Sequence, residues 1–336
     1  MVVTHGTVQP GRGAGAWTIG NFDGVHLGHQ AMLSRVVTVA RRKGLAAGAL
    51  TFEPLPREHF AALRGADAPP RISRLREKLE LFAAAGLDRA HVARFDARFA
   101  SIPAERFIDE VLCARLQAAW LLVGRDFRFG AGRRGDFAML EGAAPARGFE
   151  LEAMPEVTDG GGRISSSRVR EALERADLDG AARLLGRPYS VSGRVVHGAR
   201  LGRSLGFPTA NIALPRRTPL AGIYVVEAQG ADAASPSRWL PGVASIGRRP
   251  TVNALQAPLL EVHLFEVTEA LYGRHLRVRF LARLRDEKKY ADLAALRAAI
   301  ARDVAQAKEY FVTTHGCLQE DTQSARYAVP DARRPR

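Results

Sequence analysis

Apolar positions along the chain follow two regimes, and the change comes near residue 187. In the first regime short apolar runs alternate with amphipathic stretches. Residues 16–20 (AWTIG) read as a buried strand ending in glycine, and 45–52 (LAAGALTF), 88–95 and 118–123 (AAWLLV) read as further strands. Met32, Leu33, Val36, Val37 and Ala40 share one stripe at helical spacing. Ile72, Leu75, Leu79 and Phe82 predict a helix over 71–85 that stops at Gly86. Phe107, Val111, Leu112 and Leu116 predict another over 104–117. Strands alternating with helices imply right-handed βαβ units and a doubly wound α/β sheet, with ligands at the carboxyl ends of its strands.

After Gly186-Arg187-Pro188 the segments shorten. Residues 189–197, 222–228, 240–246, 259–266 and 275–282 have strand character, separated by Gly, Pro and polar residues. That pattern predicts a small antiparallel barrel or sandwich. A helix over about 291–311 closes it, with Leu293, Leu296, Ile300, Val304 and Ala307 facing inward. The first 14 residues read as a loose leader and the polar, aperiodic end as a mobile tail. No repeat of 20–50 residues is visible. The expected domains are 15–186 and 187–313, with a tail over 314–336.

A length of 336 residues suits two domains, and 46% hydrophobic with 25% charged residues is a globular composition. No apolar run is long enough to span a membrane as a helix. The N-terminus lacks the charged and apolar regions of a signal peptide, so the cytoplasm is the expected compartment. Cys113 and Cys317 form no disulfide framework and no zinc spacing. The net charge is +14, yet five of the 49 cationic residues are lysines and the rest are scattered arginines. Such a balance suits phosphate-bearing ligands. Nucleic acid is not expected as the main partner.

Between the first strand and the first helix stands Gly20-Asn21-Phe22-Asp23-Gly24-Val25-His26-Leu27-Gly28-His29. Its glycines permit a tight turn, and a helix N-terminus offers unpaired N–H groups to a phosphate. His26 and His29 lie three apart, on one face of the first turn, where imidazoles can donate to phosphate oxygens. Asp23 could orient the loop or sit near a metal. Residues 51–58 (TFEPLPRE), 123–136 (VGRDFRFGAGRRGD) and 163–171 (RISSSRVRE) follow in order. Taken alone, the serine run reads equally well as an ordinary N-cap.

In the second half, 192–211 is glycine-rich and basic, lacks a Walker A spacing, and ends G-F-P-T-A-N. In an extended segment Thr209 and Asn211 point to one face, and both carry hard oxygen ligands suited to magnesium. Glu261, His263 and Phe265 share one face of a strand, with Leu260, Val262 and Leu264 on the other. A glutamate there is either a solvated surface group or a general base.

These segments together resemble the bacterial bifunctional riboflavin kinase/FAD synthetase family. H-x-G-H is similar to the motif of nucleotidylyltransferases, and the later series (L-G-R-x-L-G-F-P-T-A-N, G-I-Y, G-V-A-S-I-G-x-R-P-T, L-E-V-H-L-F) resembles the riboflavin kinase module. The resemblance covers about residues 15–312. It implies an FMN adenylyltransferase domain followed by a riboflavin kinase barrel, using ATP and Mg2+ to make FMN and then FAD. Gly20, Phe22, Asp23, Gly24, His26, His29, Arg163, Ser166, Ser167 and Arg168 then correspond to the adenylyltransferase ATP site, and Asp126 to a flavin and nucleotide contact. Gly198, Gly206, Pro208, Thr209 and Asn211 correspond to the kinase's Mg-ATP site, with Thr209 and Asn211 on the metal and Glu261 as the catalytic base. Leu55 stands where the family commonly has His, and Ser167 where Thr is common. The implied partners are riboflavin, FMN and ATP, no membrane, and a monomer or weak homo-oligomer. Two rival readings are a nucleotidylyltransferase for another phosphorylated metabolite and a flavin-responsive regulator that binds nucleic acid.

Overall fold

The computed structural model describes residues 1–6, 13–198, 201–214, 217–247, 259–265, 267 and 269–316. The chain forms two compact units that meet at Ser166 and Ser167.

The first unit is built on a parallel six-stranded sheet in the order β1-β4-β3-β2-β5-β6. Its strands are β1 (Val2–His5), β2 (Gly15–Ile19), β3 (Ala46–Glu53), β4 (Arg89–Arg94), β5 (Ala118–Gly124) and β6 (Glu150–Met154). Every residue of β2 is buried. Alternate side chains therefore serve two cores, one on each face of the sheet. Ala16, Trp120 and Leu122 pack with Leu33 and Val36 of α1 (Leu27–Lys43) and with Phe82 of α3 (Leu75–Ala84). Trp17, Ile19 and Leu121 pack on the other side with Phe107, Val111 and Leu140. Between α1 and α3 comes α2 (Pro56–Leu63). α4 (Phe107–Arg115) is wound wide, closing on an i→i+5 bond from Leu116 N–H to the Val111 carbonyl. α5 (Phe137–Arg147) precedes β6.

The chain runs from β2 outward through β3 to β4, then returns to the other side of β2 as β5. The strand order therefore reverses between β2 and β5, where a doubly wound sheet opens its ligand crevice. Both H-x-G-H and the loop carrying Asp126 leave the carboxyl ends of these two strands.

The expected loose leader is corrected at Val2–His5, which pairs in parallel with β4 and forms the sheet edge. Residues 7–12 lie outside the described set. The helix expected from 71 begins at Leu75, because Ile72 is buried in the preceding turn.

α6 (Ser166–Glu174) opens at the last residue of the first unit, and the second unit continues through α7 (Leu178–Leu185). A closed antiparallel barrel follows, in the order β10-β11-β8-β7-β12-β9. Its strands are β7 (Ser190–Val196), β8 (Ala210–Ala213), β9 (Gly222–Gln229), β10 (Trp239–Ile246), β11 (Leu259–Leu264) and β12 (His275–Arg285). Val225, Val243 and Ile223 pack outside the barrel interior against α8 (Leu293–Gly316) through Ala307, Val304 and Phe311.

The inward stripe of α8 holds at Val304 and Ala307 and departs from the expected one at Leu293. Leu293 is exposed, and the buried positions are Ala299, Asp303 and Ala307. Asp303 is tolerated there because Arg285 grips both its oxygens, at 2.8 and 2.6 Å. The helix also runs through 316, so the tail expected from 314 is corrected over its first three residues. The rest of that tail, 317–336, lies outside the described residues.

Candidate functional site

Each unit carries its own candidate site. In the first unit the turn after β2 is held in an uncommon conformation. Phe22 and Val25 have φ of 48° and 43°, and Gly24 has φ of 84°. Left-handed backbone at bulky residues costs free energy and persists only where neighbours enforce it. Here the neighbours are polar and buried. The Asp23 carboxylate accepts from the Ile72 and Ser73 N–H groups at 3.0 and 3.1 Å, and pairs with Arg57 through its other oxygen. Gly24 N–H donates to the Ser73 hydroxyl at 2.9 Å. A side chain at Gly24 would also strike Ile72. These contacts show Asp23 holding the turn in place.

His26 caps α1. Its Nδ1 accepts from the His29 N–H at 3.4 Å, which places its ring proton on Nε2. The His26 and His29 rings stack with centroids 3.7 Å apart and planes 19° apart. Gly28 permits this approach, since a Cβ there would lie 3.2 Å from the His26 ring. Burial, then the neighbouring His26, then the Lys78 ammonium hold the His29 imidazole well below its usual pKa. His29 is therefore neutral at pH 7 and offers one N–H donor, and its Nδ1 is buried with no hydrogen-bond partner among the described residues.

Ser166 opens α6 and donates to the Asp23 carbonyl at 2.9 Å. This ties Ser166 to the H-x-G-H turn across more than a hundred residues of sequence. Arg163 and Asp126 meet in an exposed ion pair at 2.8 Å, which lowers the carboxyl pKa of Asp126. Gly20 lies against the Phe22 ring. Ser167 is exposed and Arg168 half-buried on the first turn of α6. Leu55 is buried and caps α2 with its backbone N–H, which donates to Glu58 at 2.9 Å.

In the barrel, Asn211 of β8 stands directly opposite Glu261 of β11, and Glu261 stands opposite Ser245 of β10. Directly paired residues share a face, so the three form a row across adjacent strands. Glu261 and Ser245 of this row line a cavity of about 930 Å³, together with Thr209, His263, Arg283 and Arg285 among others. Asn211 is buried, and its side chain occupies the place of any Cβ at Gly198, which would lie 2.5 Å from Nδ2. The Pro208 carbonyl is 2.9 Å from His263 Nδ1, which pins the segment leading into β8, where Thr209 lies, to β11. Gly206, with φ of 90°, makes the turn before it. The sequence readings of 199–200 and 248–251 lie outside the described residues.

Residues 10–168 match the FAD synthetase family and residues 185–311 match the riboflavin kinase family. The chain is 47% identical over 298 residues to a bifunctional riboflavin kinase/FMN adenylyltransferase of Escherichia coli K12, an alignment covering 88% of this chain and 93% of that one. The chain belongs to the bifunctional riboflavin kinase/FMN adenylyltransferase family. A family member from Haemophilus influenzae is 43% identical over 88% of this chain and 94% of its own. Among solved structures, a crystal structure described as a macrolide-efflux protein from Streptococcus pneumoniae superposes with a TM-score of 0.73 at 26% identity. It covers 90% of this chain and 97% of that one. Among the described residues no helix is long and apolar enough to cross a membrane.

Family membership makes the protein an enzyme with a kinase module and a nucleotidyltransferase module, the latter first in the chain. Sequence reasoning missed several residues that shape the sites: Arg57, Ser73 and Lys78 around the H-x-G-H turn, and Ser245 and Arg283 at the barrel cavity. Lys78 left a signal, since it interrupts the apolar stripe of Leu75, Leu79 and Phe82 at a position that must be buried.

Proposed function

We propose that the barrel site phosphorylates riboflavin and that the site at the H-x-G-H turn adenylylates the resulting FMN, with ATP as donor in both. In the barrel, Glu261 takes the proton of the ribityl 5′-hydroxyl. The hydroxyl oxygen bonds to the γ-phosphorus of ATP as the bond to the β-phosphate oxygen breaks, releasing ADP. Thr209 and Asn211 place hard oxygen donors beside Glu261, and Gly198 leaves room for the Asn211 amide. That donor set fits Mg2+ shared with nucleotide phosphates, an ion that takes few protein ligands and neutralises phosphate charge.

In the first unit the FMN phosphate attacks the α-phosphorus of ATP and pyrophosphate leaves. No protein nucleophile is needed. His26 and His29 donate to phosphate oxygens as charge builds, and the α1 N-terminus adds its dipole. Arg163, Ser166, Ser167 and Arg168 hold the polyphosphate, and Asp126 orients the nucleotide and flavin with Arg163. Gly20 and Phe22 shape the floor of this site, and Gly206 and Pro208 the rim of the other. The functional modules are 15–186 and 187–313. The protein works in the cytoplasm as a monomer or weak homo-oligomer.

The observation that carries this reading is the Asn211–Glu261–Ser245 row beside a cavity large enough for a flavin, in a chain that also carries the stacked histidines. The test is chelation. With EDTA in excess both steps should stop, and added Mg2+ should restore them; turnover of either step without a divalent ion would refute the shared-metal assignment.

A further inference from the structure

Lys78 projects from α3 into the core and is 2% exposed. Its Nζ donates to the Asn21 carbonyl at 2.6 Å and to the Thr51 hydroxyl at 3.0 Å. Thr51 in turn donates to the same Asn21 carbonyl at 3.3 Å. The carbonyl so gripped lies immediately before Phe22, the first of the left-handed residues of the turn. On the far side the turn is fastened by Asp23 to Arg57 and the 72–73 backbone, and by Gly24 to Ser73. A strained turn needs such fastening on both sides, and without Lys78 the Asn21 side loses its buried charged donor.

We propose that Lys78 is a positioning residue for adenylyl transfer: its buried ammonium fixes the turn that presents His26 and His29 to the phosphates. The assignment rests on the adenylyltransferase reading of the first unit. Lys78 touches no reacting atom and acts through Asn21. Its charge also reaches His29, where it adds to burial and to His26 in keeping that imidazole neutral. Burial pulls Lys78 down to about 8, against the opposing pull of Asp23, Glu53 and Glu58, with Arg71 adding to the downward push. The ammonium is accordingly cationic at pH 7.

The test compares K78M, which keeps the stem and loses the charge and donors, with K78R, which keeps both. FAD formation from FMN and ATP, FMN formation from riboflavin, and the imidazole titration of His29 by NMR are followed in each. K78M should lower kcat for FAD formation by about 10- to 100-fold, the scale on which small misplacements act. Riboflavin phosphorylation should stay within about two-fold, because the barrel site uses no part of this clamp. The His29 titration should move up towards its ordinary range, and K78R should recover part of the loss. K78M forming FAD at the wild-type rate, or losing FAD formation with the His29 titration unmoved, would overturn the proposal. If the unaltered protein forms no FAD, the adenylyltransferase reading fails separately. The hold on the turn is then judged by amide exchange over Phe22–Val25, which quickens in K78M if Lys78 fastens the turn and stays unchanged if it does not.

Discussion

Asn211 and Glu261 are directly paired residues on adjacent antiparallel strands of the barrel. The pairing sets the amide beside the carboxylate on one face without any help from loops, so under the proposed function a phosphate held at Asn211 would lie within reach of Glu261 acting as base. Rigid strands hold such geometry better than loops do.

Glu261→Gln keeps the shape of the side chain and removes the base. FMN formation should fall by about 100- to 10,000-fold, the contribution of a positioned general base. FAD formation from supplied FMN should continue. Flavin chromatography on each half-reaction reads both results, and retained FMN formation would remove Glu261 from its role.

His26→Ala and His29→Ala should give the opposite split. Loss of one donor to developing phosphate charge costs about 100- to 1,000-fold. His26→Ala also removes the cap of α1 and should lower stability by about 1 kcal/mol. FMN formation from riboflavin should persist in both variants. Equal loss of both activities in folded protein would contradict separate sites.

His91 gives the first unit a dependence on acid. It lies buried on β4, with its Nδ1 2.8 Å from the Thr4 hydroxyl, and burial, Arg115 and His5 lower its pKa to about 4. Above about pH 6.5 both folded and unfolded chains leave it neutral, and it contributes nothing. Below that the unfolded chain takes a proton that the folded one refuses, so stability falls from about pH 6.5 down to about 4. The loss reaches about 3 kcal/mol at the acid end, from the free-energy value of a pKa difference. The depressed His29 adds to it in the same direction. Denaturant unfolding at pH 7, 5 and 4 should show a weaker decline in His91→Gln than in the unaltered chain.

Asp303→Ala leaves Arg285 without the carboxylate that holds α8 to the barrel. Both groups also border the cavity. Arg285 is half-buried, so breaking the pair from one side costs less than the ~3–5 kcal/mol of a fully buried one. Calorimetry should show the transition of the second unit shifted down and that of the first unchanged. FMN formation should drop at temperatures where FAD formation from FMN survives.

Most of the architecture was legible because it rests on periodicity. The continuous apolar run of β2 and the stripe of α1 follow directly from burial on two faces and one face. The elements that escaped have weak patterns for physical reasons. β6 reads Glu-Leu-Glu-Ala-Met, an edge strand with two glutamates and no β-branched residue. α5 contains Pro145, which argues against a helix interior. β8 is four residues long and follows Pro208 closely. On the site, H-x-G-H, Thr209 and Asn211 stood out as residues whose chemistry has a local spacing, whereas Glu261 read equally as a solvated surface group and took its role from the resemblance. Arg57, Ser73 and Lys78 did not, because they come to the turn from other elements and only the fold brings them together.

The central claim is two sites acting in series on one flavin. The most direct measurement incubates the purified protein with riboflavin, ATP and Mg2+ and separates the flavins over time. The account predicts that riboflavin gives FMN first and FAD after a lag. FMN that accumulates with no FAD would contradict the role given to His26 and His29, with the buried Leu55 the first side chain to exchange for His. Riboflavin recovered unchanged would contradict the role given to Asn211 and Glu261.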